Sequence, residues 1–152
     1  MKSYLRLTVL LIAVASFTSC TKVGVIVDIQ PTITGSWVLT NAAQKDAYGW
    51  YTVNTGVENG VFTFYSNGQA TYVENGSTLK GNWSMSTASN GYYDEAGVYY
   101  TNSHQNLQIH VSNYKGDDVV DMVFDNVDIY PNSFVATNYM NHTIGRYKFS
   151  RY

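Results

Sequence analysis

The sequence predicts an all-β domain of about eight strands, a sandwich or a small antiparallel up-and-down β-barrel. Three observations carry this prediction. From Ile33 onward apolar and polar residues alternate in short runs, about one run per 10–15 residues. Turn signals such as Asn67-Gly68, Asn75-Gly76 and Lys115-Gly116-Asp117 separate those runs. No window carries helical periodicity, and the composition agrees: charged residues make up only 13%, while aromatic residues reach 15%.

The elements follow in chain order. Ile33–Thr40 (ITGSWVLT) and Val61–Tyr65 (VFTFY) read as strands. The tight turn Ser66-Asn67-Gly68 leads into Gln69–Glu74 (QATYVE). Asn75-Gly76 is the strongest hairpin signal, because both residue types tolerate a positive φ. Thr78–Met85 (TLKGNWSM) returns from it, with Gly81 marking a bulge or a point of close packing. In Asn106–Ser112, Leu107, Ile109 and Val111 share one face, and Gln108, His110 and Ser112 the other. Asp118–Phe124 places Val120, Met122 and Phe124 on one face. Ser133–Tyr139 and Gly145–Tyr152, both rich in β-formers, complete the set. Between these runs, Asn41–Asn59 reads as a long loop, or a loop with a short strand, and Ser86–His104 as a long hairpin connection. Connections of that length carry function more often than tight turns do.

Ahead of the domain, Lys2 and Arg6 precede the apolar run Leu7–Ala15 (LTVLLIAVA), which is too short to span a bilayer and reads as a signal peptide. Phe17-Thr18-Ser19-Cys20 resembles the lipobox of bacterial lipoproteins, with Phe17 in place of the usual Leu. The resemblance implies that Cys20 is lipidated and becomes the N-terminus, and that Thr21, not being Asp, permits sorting to the outer membrane or cell surface. The expected organisation is a signal peptide at 1–19, the lipidated Cys20 and a tether at 20–32, and the β-domain at 33–152. Cys20 is the only cysteine, so its acylation leaves no thiol for disulfides, metal or nucleophilic chemistry. Acyl chains contribute about 0.8 kcal/mol per buried CH₂, which makes the membrane the first expected partner. Without Lys2 and Arg6, seven cations face eleven acids, a net charge of −4, which argues against nucleic acid as a partner.

Gly35-Ser36-Trp37 is a Gly-x-Trp in the first strand, followed by Phe62-Thr63-Phe64, the Asn67-Gly68 turn, Gly81-Asn82-Trp83 and the terminal Arg146-Tyr147-Lys148-Phe149-Ser150-Arg151-Tyr152. As a set, over Ile33–Tyr152, these resemble the lipocalin-like domain of small lipoproteins from Gram-negative bacteria. The resemblance selects the up-and-down barrel. It implies that Gly35 and Trp37 close one end, with Arg146 or Arg151 packed over the indole, a cation–π contact of about 0.5–2 kcal/mol. The chain departs from larger lipocalins in having no disulfide and no C-terminal helical pattern.

Chemistry is sparse in the remaining sequence. His104, His110 and His142 lack zinc-motif spacing, and no Ser lies in a nucleophile elbow, so neither a metal nor a cofactor nor catalysis is expected. His110 would orient a ligand only if its face lined the barrel. Asp117, Asp118, Asp121, Asp125 and Asp128 form an acidic run, read as a solvated outer face rather than a Ca²⁺ loop. Trp37 and Trp83 are expected in the core. Trp50, Tyr51, Tyr92, Tyr93, Tyr99 and Tyr100 fall in the long connections, where flat rings either plug the barrel or bind a partner. The function expected is non-enzymatic binding of a small apolar or amphipathic ligand, or a scaffold role. The alternative is a surface lipoprotein whose Tyr/Trp-rich loops bind a glycan or a protein.

Overall fold

A computed structural model describes residues 32–152; the expected signal peptide, lipidated Cys20 and tether, as far as Pro31, lie outside the described residues. Those residues contain strands and turns and no helix. The first strands are β1 (Gly35–Asp46), β2 (Gly49–Thr52), β3 (Val61–Phe64), β4 (Gln69–Glu74) and β5 (Ser77–Ala88). Then come β6 (Tyr92–Tyr93), β7 (Tyr99–Tyr100), β8 (His104–Ser112), β9 (Val119–Phe124), β10 (Asn126–Ile129), β11 (Ser133–Met140) and β12 (Thr143–Arg151). Ten of them form one antiparallel sheet in the order β10-β11-β12-β1-β3-β4-β5-β8-β9, with β2 beside β1; β6 and β7 pair separately.

All eight expected runs are strands, yet the structure has twelve rather than about eight, and the sheet has two ends, β10 and β9, rather than an unbroken ring. The additions have local causes. The segment from Asn41, read as a long loop or a loop with a short strand, continues β1 to Asp46, turns at Ala47-Tyr48 and returns as the short strand β2. The long connection from Ser86 extends β5 to Ala88 and then forms the β6–β7 hairpin. Asp125 divides the run that follows β8. Its own N–H donates to Thr137 O at 2.8 Å and its carboxylate accepts from Tyr139 N at 2.7 Å, so β9 pairs with β8 while β10 pairs with β11.

Asn75 and Gly76 both have positive φ, 49° and 79°, the backbone twist that a two-residue hairpin needs. Gly81 meets the partner strand closely: a Cβ there would collide with the backbone carbonyl of His110, so only glycine lets β5 run against β8 without a break in register.

The inward faces form a single apolar core. Phe134 stacks on Phe149 at 4.5 Å, the edge of Trp37 meets Phe134 at 5.0 Å, and Phe62 packs on Tyr72 at 4.6 Å. Large rings therefore fill the interior from Trp37 to Phe124. Residues 32–152 accordingly fold around a core of their own.

Candidate functional site

Two ends of the sheet differ in chemistry. At the first, Trp37 is fully buried and its indole N–H donates to Ile33 O at 2.6 Å. The guanidinium of Arg151 lies 4.5 Å from the Trp37 ring centroid and donates to Thr34 O at 3.3 Å. Gly35 has a φ of 118°, and a side chain there would occupy the place of the Arg151 guanidinium. Of the two arginines offered by the sequence, Arg151 covers Trp37, whereas Arg146 lies 4.3 Å from the ring of Trp50. This end is packed shut.

The aromatic residues of the long connections are divided between packing and exposure. Trp50 lies under Arg146, with the Lys45 ammonium 5.8 Å from its ring. Tyr92 stacks between Tyr100 and the buried His104, at 5.8 and 4.3 Å. Tyr93 packs on Tyr99 and Tyr139, and its carbonyl accepts a hydrogen bond from Thr137 Oγ1. The β6–β7 hairpin folds back over β11, and Val135 and Thr137 are buried on the face opposite Phe134 and Ala136. Tyr51, Tyr99 and Tyr100 stay exposed, as does Tyr48 at the β1–β2 turn. His110 does not line the interior: Leu107, Ile109 and Val111 take that face, and His110 points outward, its Nδ1 3.9 Å from Asp121. Among the described residues no group of His, Cys, Asp or Glu is arranged to hold a metal ion, and the acidic run spreads over turns and two strands. Asp125 and Asp128 are its partly buried members. Desolvation pushes the Asp128 carboxyl up, against the Asn126 amide that holds it down.

The second end carries the turns Ala47-Tyr48, Asn75-Gly76, Asn113–Asp118 and Asn141-His142, and here the sheet opens. Below Asp125, β9 and β11 diverge, bridged by Asn138 Nδ2 donating to Val123 O at 3.3 Å. The opening is a crevice of about 460 Å³ whose floor is Val57, Val120, Met122, Phe124 and Tyr147, with Thr55, Asp121 and Asn138 at its rim. A second crevice of about 460 Å³ shares Val57, Val119 and Val120 and adds Tyr72, Leu79, Glu74, Asp117 and Asp118. Val57 separates them. It comes from the β2–β3 loop, and its side chain is buried in the core.

That loop is held by a carboxylate. Glu58 Oε1 accepts the Thr55 N–H at 2.6 Å and the Thr55 hydroxyl at 2.9 Å, while Asn54 Oδ1 accepts the Gly56 N–H at 2.8 Å. The Thr55 N–H holds the Glu58 carboxyl below the ordinary glutamate value. On the opposite wall Tyr72 donates to Glu74 at 2.6 Å, and burial followed by that bond pushes its hydroxyl well above the ordinary tyrosine value. The hydroxyl therefore remains a donor through the physiological range.

A depressed carboxyl stabilises the fold above its unfolded value and loses that contribution as pH falls through its folded value. The β2–β3 loop is therefore expected to loosen in acid, below about pH 4. Glu58→Ala is expected to raise exchange of the Thr55 and Gly56 amides at neutral pH by about fivefold, since both charge-assisted bonds from Thr55 to this partly solvated carboxylate are lost. Hydrogen-exchange NMR reads this directly, and unchanged protection would show that Val57 alone holds the loop.

No family model matches this chain, and neither a curated protein nor a solved structure matches it. The crevices escaped sequence reasoning because Val57 and Tyr147 lie about ninety positions apart and meet only through the fold. The shared face of Val120, Met122 and Phe124 was legible, but nothing in the spacing indicated that β11 would leave it half uncovered.

Proposed function

We propose that this chain is a lipid-anchored, non-enzymatic binding protein of the bacterial cell envelope, with a lipocalin-like barrel that takes a small apolar or amphipathic ligand at its mouth. The barrel reading rests on the neighbour order. The two ends of the sheet, β9 and β10, are consecutive parts of one bent run, which supports a barrel in the order β1, β3, β4, β5, β8, β9–β10, β11 and β12. A ring of eight such members can hold one small ligand or fill itself with side chains. Here Trp37, Phe62, Phe64, Phe134 and Phe149 fill most of it. The observation that carries the function is the remaining apolar floor of Val57, Val120, Met122, Phe124 and Tyr147, open to solvent between β9 and β11. Concave apolar surface with a few polar groups at its edge is the common form of a small-molecule site.

Native mass spectrometry of the chain from Thr21 onward, purified without detergent, tests this reading. A discrete added mass is expected, lost on denaturation and lost in Met122→Arg, which fills the crevice. An added mass that Met122→Arg retains would place the ligand elsewhere.

Anchoring has its own test. Cys20→Ala is expected to move the protein from the membrane to the soluble fraction and to abolish palmitate incorporation. Labelling equal to that of the unaltered chain would remove the lipoprotein reading.

A second reading, a surface protein that binds a glycan or a protein partner, is favoured by Tyr48, 99% exposed, and by the run Tyr93, Tyr99 and Tyr139 on the outer face. Under it Tyr48→Ala with Tyr99→Ala would abolish partner binding while Met122→Arg would leave it intact.

A further inference from the structure

The polarity of the mouth narrows the ligand class, an inference that rests on the proposed small-molecule site. Four acidic residues line the two crevices, Glu74, Asp117, Asp118 and Asp121, of which Asp121 turns outward beside His110, and no Lys or Arg lines either of them. Lys45 and Arg146 lie over Trp50 and Arg151 over Trp37. Lys115, in the same turn as Asp117 and Asp118, has its ammonium 5.6 Å from the Tyr114 ring. Among the described residues the one ion pair is His110 with Asp121, at 3.9 Å between two largely exposed side chains. Asp118 accepts only the Asn113 amide, and Glu74 only the Tyr72 hydroxyl.

From this we infer that the mouth selects amphiphiles with a cationic head, an alkyl chain lying on Val57, Val120, Met122 and Phe124 while an ammonium or amine group sits beside Asp117 and Asp118. A fatty acid would bring its carboxylate to the same rim and meet like charge. Neither half of the arrangement suffices alone. Exposed carboxylates without the apolar floor would hold only a diffuse counterion cloud. The floor without the carboxylates would accept any alkyl chain. The backbone supports the placement, since β9 alternates Val120 and Met122 toward the floor while the Asn113–Asp118 turn that leads into it carries Asp117 and Asp118 at the mouth.

The test compares three ligands with the same decyl chain: decyltrimethylammonium, decanoate and decanol. Each is titrated below its micelle concentration into the chain from Thr21 onward at low ionic strength, by calorimetry and by the Met122 methyl resonance. Decyltrimethylammonium is expected to bind at least about tenfold more tightly than decanoate, with decanol between them, and the difference is expected to shrink in 0.5 M salt. Asp117→Asn with Asp118→Asn, two exposed substitutions, should bring the ammonium and the carboxylate within about threefold of one another. Three results would overturn the inference: decanoate binding as tightly as the ammonium, a preference that the double variant keeps, or tetramethylammonium alone binding as well as the decyl compound. Decanol binding without an ammonium preference would remove the charge selectivity and leave the proposed binding site standing. Failure of all three ligands to bind would remove that site as well.

Discussion

Trp37→Ala is expected to lower the stability of the domain by about 3–5 kcal/mol, the usual cost of deleting a fully buried large ring. That loss corresponds to a melting temperature lower by roughly 10–20 °C for a domain of this size. The packing explains why the site cannot collapse cheaply. Trp37 has no exposed surface, its edge meets Phe134 at 5.0 Å, and its N–H is bonded to Ile33 O. Its removal also leaves the Arg151 guanidinium over a void and frees the Ile33 carbonyl. Arg151→Ala is expected to cost less, about 0.5–2 kcal/mol, because the cation–π contact is lost while the indole keeps its apolar neighbours. A urea midpoint unchanged in Trp37→Ala would show that this end of the sheet does not hold the fold together.

Gly81→Ala is expected to cost about 3 kcal/mol, at the upper end of what one added methyl does in a packed interior. The obstruction here is backbone. The new Cβ would fall on the His110 carbonyl, so β5 and β8 must separate where Gly81 pairs with Val111. Thr78→Ala, exposed on the same strand, is the matched control and should lie within about 0.5 kcal/mol of the unaltered chain. Amide exchange at Asn82 and Val111 should accelerate in Gly81→Ala and not in the control. Equal stability of the two variants would mean that β8 yields at His110 without penalty.

The site was less legible than the fold, for reasons that particular residues show. Trp50 and Tyr93 sit in segments whose composition reads as loop, and adjacent aromatic residues there suggest display. Instead Arg146, from the last strand, covers Trp50, and the β6–β7 hairpin turns Tyr93 against Tyr139. Both contacts join residues more than forty positions apart, beyond the reach of any local pattern. His110 shows the opposite case. Alternation with Leu107, Ile109 and Val111 already placed it on the polar face, and burial of those three residues left it outside.

By itself the sequence determined the β character, the position of eight of the strands and the Asn75-Gly76 hairpin, and it marked Gly81 as either a bulge or a close approach. All of these depend on a residue and its immediate neighbours: side chains alternate with period two, and only certain residues adopt a positive φ. Tertiary structure alone decided that Arg151 rather than Arg146 lies over Trp37, that Asp125 passes one bent run from β8 to β11, and that an apolar crevice opens between β9 and β11. The sequence pattern holds no record of these, because each depends on how one large antiparallel sheet brings distant strands to one edge. Strand pairing specifies neighbours, and it is the accumulated twist and bend of the whole sheet that determines where two of them part.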